Sequence, residues 1–328
     1  MAAAVASRSR RANAQTTSCT TPWPPDALPY MRASSSTAIR PTSYGHENEW
    51  NKYNEIWRSK LVFSGLYYPG LGNHDITNNH PETGGGCRYW WLPPLNLPIC
   101  VIPRFDQNTC CSATMLTIQK RDLEGYIQKP QGFISLSPEG SAYSWHRGTY
   151  RFLQLNYNPA LDWGTALNDI YRPPLGQYFD WFEAQLSEAQ ASGQNVVIYI
   201  HTLSGLSSAD LDRFKRAIQT KPVSLIFVGH DHECFGQQQV LVDGGSSVPV
   251  IYSGAAEYVS YIDVSYGSQT ITVALQLARG GGHRLTVVQW TYNLGPGGKV
   301  TNPQAGQAFV FNSNNRADHE PAAGSCGI

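Results

Sequence analysis

Two hydrophobic rhythms alternate through the middle of the chain. Residues 175–192 and 208–219 set apolar side chains three and four apart among polar ones, the spacing of helices with one buried face. Residues 196–200 (Val-Val-Ile-Tyr-Ile) and 223–228 (Val-Ser-Leu-Ile-Phe-Val) are short, nearly continuous apolar runs, the pattern of buried strands. Two further strands are expected over 142–145 and 150–156, and four more around Val250 and over 258–264, 271–277 and 285–290. Helices alternating with apolar strands, followed by strands alone, predict a mixed sheet layered against a second sheet.

Upstream the rhythm is less regular. Trp50, Tyr53 and Trp57 fall at helical spacing within 46–60, and a short strand over 66–68 runs into Pro69-Gly70-Leu71-Gly72. Residues 80–106, rich in Gly, Pro and Trp, read as an irregular insertion, and 109–127 as a helix. Residues 1–43 carry Arg8, Arg10, Arg11, Arg32 and Arg40 with many Ser and Thr and one acid, Asp26. That composition is expected to be disordered and matches a transit peptide, although a wrong exon boundary yields similar text. The expected organisation is an atypical segment 1–43, a domain over 44–292 and a mobile tail over 293–328.

Composition narrows the function classes. A chain of 328 residues with 41% hydrophobic content can bury one large core. Its 24 basic and 24 acidic residues balance, so no overall field gathers nucleic acid or anionic lipid, and an anion must be held locally. No apolar run approaches the roughly 18 residues that span a bilayer. Seven cysteines give neither an even disulfide framework nor paired C-x-x-C zinc spacing, and leave the compartment undecided.

Three polar clusters follow apolar strands: Asn73-His74-Asp75, His201, and His230 with His232. Loops at the carboxyl ends of strands are where open α/β sheets bind ligands. With only Asp231 between them, His230 and His232 are expected to point the same way from an extended segment. Imidazole, amide oxygen and carboxylate together suit divalent Zn, Mn or Fe.

Gly72-Asn73-His74-Asp75 and Gly229-His230-Asp231-His232 resemble the GNH(D/E) and GHxH motifs of the calcineurin-like metallophosphoesterases, and His201 resembles the histidine ending a strand between them. Tyr44-Gly45-His46-Glu47 is similar to the segment after the GD motif in one branch of that family. The resemblance covers about two thirds of the chain, from Tyr44 to Val264. It implies an α/β fold, the layered α/β/β/α sandwich of that family. It also implies two divalent metal ions, Mn, Fe or Zn. Asn73, His201 and His230 would ligate one ion and His232 the other. A metal-activated hydroxide would attack phosphorus while His74, positioned by Asp75, acts as general acid. The substrate would be a small-molecule or protein phosphate ester.

The family's D-x-H and G-D motifs, which lie on its first and second strands, are absent. Alignment on Gly45-His46 puts Arg40 at or near the bridging aspartate, and Asp26 lacks both a preceding strand and a histidine two residues on. The fold is therefore expected without its first strands. A gene model faulty at its start is the expected cause; the alternative is a catalytically impaired member that binds a ligand or a single metal. His46 and Glu47 are read as a helix start. His146 and Arg147 lie between two strands, where either a turn or contact with substrate phosphate accounts for them. Trp90 and Trp91 would stack on a sugar or base, or pin the insertion to the core.

Overall fold

The computed structural model describes residues 70, 89–92, 97–100, 132–138, 142–155, 175–203, 206, 208–241, 247–254, 260–278, 284–302, 307–310 and 322–324. Expectations for 1–43, for the helices over 46–60 and 109–127, and for the strand over 66–68 fall outside these residues.

In chain order the strands begin with a separate antiparallel hairpin, β1 (Tyr89–Leu92) and β2 (Leu97–Cys100). Then come β3 (Phe133–Leu136), β4 (Tyr143–Arg147) and β5 (Tyr150–Gln154). Helix α1 (Leu175–Ala191) leads to β6 (Asn195–Ile200), and helix α2 (Ser208–Gln219) to β7 (Val223–Val228). Next are β8 (Cys234–Leu241), β9 (Ser247–Ser253), β10 (Ser260–Tyr266), β11 (Thr270–Ala278) and β12 (Arg284–Asn293). A 3-10 turn at Pro296–Gly298, β13 (Ala308–Val310) and β14 (Ala322–Gly324) complete the series.

Nine strands form one sheet in the order β14-β13-β8-β9-β7-β6-β5-β4-β3, and β10-β11-β12 form a second, antiparallel sheet. At the centre β5, β6, β7 and β9 run parallel, so their carboxyl ends share one edge. Alternation explains why β6 and β7 read as unbroken apolar runs. Val196, Ile198 and Ile200 pack with Phe182, Leu186, Phe214 and Ile218 of the helices. Val197 and Tyr199 face Ile262, Val264, Tyr266 and Val273 of the second sheet. The arrangement is mixed α/β, with helices, large sheet and second sheet in three successive layers. The expected fourth layer, of helices beyond the second sheet, falls outside the described residues, whose two α-helices both pack on the large sheet.

Polar groups fix the layers at chosen points. Tyr199 and Tyr266 join hydroxyls across the two sheets at 2.8 Å, and the Tyr150 hydroxyl donates to the Gly267 carbonyl at 2.6 Å. Buried Arg151 on β5 reaches α1, donating to Glu188 at 2.8 Å and to the Gln185 carboxamide at 3.2 Å. On the outer face of the helices, Arg213 pairs with Asp180 and Glu183, both at 3.1 Å, and covers the Phe179 ring.

The structure departs from the expected elements in four places, one of them β3, a strand paired with β4 where none was expected. Part of the insertion is the hairpin β1–β2, which carries Trp90 and Trp91. Strand β8 was not expected at all. Beyond Asn293, β13 pairs with β8 and β14 with β13, so the expected mobile tail supplies two strands of the large sheet.

Candidate metal centre

His201 follows β6 directly, and Gly229 and His230 follow β7. These strands are parallel neighbours, with Ile200 paired to Val228, so their ends deliver both histidines to one place. The Gly229 amide donates to the His201 carbonyl at 3.0 Å, prolonging the pairing by one step. Beyond it the backbone turns sharply. The Asp231 amide donates back to the Gly229 carbonyl at 2.8 Å, and His230 between them has φ +67°, which makes a three-residue γ-turn. The Cys234 amide then donates to the Asp231 carbonyl at 2.9 Å, closing a second turn around His232.

This corrects the expectation of an extended segment from which His230 and His232 point alike. The turn instead directs the His230 ring at His201. Nδ1 of His230 lies 3.3 Å from Nε2 of His201, with ring centroids 5.1 Å apart and planes at 71°. Two arrangements have this separation: a hydrogen bond between the rings, or two ligands of one ion. Imidazole nitrogens about 2.0–2.1 Å from a shared tetrahedral metal stand about 3.3 Å apart. His201 is buried and His230 half-buried, so a ligand would be held at the sheet edge and not inside the core. The donor pair therefore fits a divalent ion of the borderline class.

His232 does not join this pair in a larger ligand set. Among the described residues no three His, Cys, Asp or Glu side chains come together as a metal-holding group. Asn73, His74 and Asp75 lie outside the described residues. Gly70, three positions before Asn73, packs against the carboxamide of Gln154, the last residue of β5. A side chain at residue 70 would collide with that carboxamide. Gln154 pairs with Tyr199, two residues before His201, so the chain reaches the histidine edge of the sheet here.

Arg147 is elsewhere. It pairs with Tyr150, and Tyr150 with Asn195 at the start of β6, so Arg147 sits at the opposite end of the sheet from His201. His146 is exposed beside it; both residues belong to the end of β4, and the hairpin turn is made by Gly148 and Thr149, which corrects the expectation that His146 and Arg147 lie between the two strands.

Two neighbours of the loop were not apparent from the sequence. Tyr252 pairs with Val228 at the carboxyl end of β9, and its hydroxyl is pushed up to about 12, first by burial and then by the Asp231 carboxylate. It stays protonated at neutral pH, behind the turn that carries His230. The signal was present: an apolar run ending at Tyr252-Ser253-Gly254 repeats the strand-then-glycine pattern of Val228-Gly229. The second neighbour is Cys234, buried, two residues after His232 and disulfide-bonded. A count of seven cysteines gave no sign of it.

No family model matches the sequence, and no curated protein matches it. Among solved structures, the chain is similar to the purple acid phosphatase PPD1 from yellow lupin (Lupinus luteus) seeds, with 11% identity and a TM-score of 0.39. That match covers 71% of this chain and 40% of the lupin chain, so this chain spans two fifths of its length. A double mutant of Vps29 from Entamoeba histolytica matches with 11% identity and a TM-score of 0.19, over 52% of this chain and 77% of that one. A single mutant of the same Vps29 matches with 12% identity and a TM-score of 0.18 over the same shares. The geometry of the histidine pair stands independently of these likenesses.

Proposed function

We propose that the chain holds a divalent metal ion between His201 and His230 and hydrolyses a phosphate ester beside it. The convergence of the two imidazoles at 3.3 Å, on the ends of adjacent parallel strands, carries this reading. Asn73 completes the ligand set and His232 serves a second ion, each Mn, Fe or Zn. Gly70 supports the assignment of Asn73, because three residues span at most about 10 Å from the contact with Gln154. A metal there would neutralise charge developing on the phosphoryl oxygens and acidify water.

The remaining work falls to the chain's own side chains. His74 gives a proton to the departing ester oxygen as the phosphorus–oxygen bond breaks, and Asp75 holds its ring in the required tautomer. Water adds to phosphorus, leaving an alcohol and a phosphate. The substrate is a small-molecule or protein phosphate ester.

A second reading has its own support. Among the described residues only two ligands converge, which suits a chain that binds one metal or a ligand without turnover.

One assay separates the two. The full chain is purified and tested on an aryl phosphate with Mn, Zn, Fe or no added metal, with bound metal counted by mass spectrometry. The first reading expects metal-dependent turnover, abolished in His201→Ala and in His74→Ala, with His74→Ala still holding metal. Bound metal without turnover selects the second reading. Turnover indifferent to metal and to His201 overturns both.

A further inference from the structure

A cavity of about 540 Å³ lies at the other end of the large sheet, where the two sheets and both helices end together. It is bounded by the turn before β5, the ends of α1 and α2, the β10–β11 turn and residues 294–299. The whole of β6, six residues, separates it from His201; at about 3.3 Å per residue this is roughly 20 Å. Its size falls within the range of small-molecule pockets.

The lining mixes polar and apolar surface in nearly equal parts and is almost uncharged. Gln194, Asn195, Ser268 and Gln269 contribute amides and hydroxyls, and Lys299 is the only ionisable side chain among the lining residues. Its ammonium is half-buried and its pKa is lowered by that burial. The group has three N–H donors, and it donates to the Ile218 carbonyl in the last turn of α2 at 3.0 Å. No carboxylate among the described residues pairs with it. A cation taken partly out of water without a counter-ion gains from an anion supplied by a ligand.

The loop beside it leaves room for one. Gly297 and Gly298 have φ +71° and +70°, in the left-handed region that side chains rarely adopt. The space where a Gly297 side chain would stand is open, whereas one on Gly298 would strike the Asn195 carboxamide. The backbone thus borders the cavity bare at Gly297 and is locked at Gly298, whose carbonyl accepts from Ser224 at 2.6 Å.

We infer that this cavity binds a small hydroxylated anion, a phosphorylated or carboxylated sugar, with Lys299 meeting the charge and the neutral amides and hydroxyls meeting the body. A competing account is purely structural: Lys299 caps α2, whose carboxyl end attracts a cation. The two differ in what an anion does.

The test is isothermal titration of the full chain in EDTA, which disables metal-held phosphate at the histidine edge. The probes are glucose 6-phosphate, glucuronate, inorganic phosphate and uncharged glucose. The expected result is saturable binding of glucose 6-phosphate or glucuronate but not of glucose. Binding should weaken at least tenfold in Lys299→Met and be largely kept in Lys299→Arg. If Lys299→Met does not fold, Ser268→Asp, on an exposed bend of the lining, places a repelling carboxylate there and should weaken binding similarly. No saturable binding by the wild type in the millimolar range overturns the inference, as does unchanged binding in both Lys299→Met and Ser268→Asp. Phosphate binding as tightly as the sugar phosphate also overturns it, because the sugar body would then contribute nothing.

Discussion

Among the described residues His230 alone combines a side chain with a positive φ, and it does so where its ring meets His201. A residue held in such a region costs on the order of 1–3 kcal/mol, and the cost is tolerated where geometry serves a site. His230→Gly should therefore move two measurements in opposite directions. Stability in EDTA, read by urea denaturation, is expected to rise by up to about 1 kcal/mol, the strain of the positive φ less the entropy of glycine. Metal retention is expected to fall by roughly 10- to 100-fold or more, since even outer-shell changes have effects of that size. His230→Asn keeps a side chain in the turn and with it the strain, and should show the metal loss without the gain in stability. A fall in both quantities for His230→Gly would refute the strain. The identities of His201 and His230 were legible in the sequence because each follows an apolar run that had to be a buried strand. The direction of the His230 ring was not, because a γ-turn interrupts the alternation that an extended segment would obey.

At the scale of elements, the helices and central strands were legible for a related reason: burial leaves a period. Phe179, Phe182, Leu186 and Ala189 repeat at three and four residues along α1, and all are buried. Strand β8 leaves no such trace, since three of its eight residues are glutamines. Gln237 is fully buried all the same, because the Tyr292 hydroxyl donates to its carboxamide at 2.6 Å from the second sheet. A polar strand residue matched by a partner 55 positions away cannot be found from local pattern. Arg151 is of the same kind, charged and buried, with acceptors supplied by α1 and Gln194. Arg151→Ala removes these donors and leaves the Gln185 carboxamide with fewer partners. Glu188 is half exposed and screened, so most of the expected loss comes from the buried contacts, about 2–3 kcal/mol in total. Urea denaturation measures it; a change within about 0.5 kcal/mol, as for an ordinary surface substitution, would mean the node does not hold α1 to the sheet.

For the molecule as a whole, buried tyrosines join the layers and set an alkaline limit. Burial pushes the hydroxyls of Tyr150 and Tyr252 up to about 12, and raises those of Tyr199, Tyr266 and Tyr292 as well. In the unfolded chain they ionise near the ordinary value of about 10. The folded state therefore keeps protons that the unfolded state releases, so their contribution is whole below about pH 10 and is lost as pH rises toward 12 and beyond. The Tm, followed by circular dichroism from pH 8 to 12, should hold steady at first and then fall steeply above about pH 10. Tyr199→Phe, which removes one hydroxyl from the bridge between the sheets, should make that fall shallower.

The bond at Cys234 ties this architecture to its surroundings. Disulfides persist in secreted and lumenal environments and are reduced where glutathione and thioredoxin act. The turn bearing His230 and His232 ends at Cys234, so it is anchored covalently only while that sulfur stays oxidised. A sample treated with a mild reductant, or made in a reducing cytosol, should retain its secondary structure but release metal more readily, with a higher Kd for Mn or Zn. An unchanged Kd after verified reduction would show that hydrogen bonds alone hold the turn. Where the protein is made thus becomes part of what the histidine pair can do, and the choice of expression host becomes a test of that dependence.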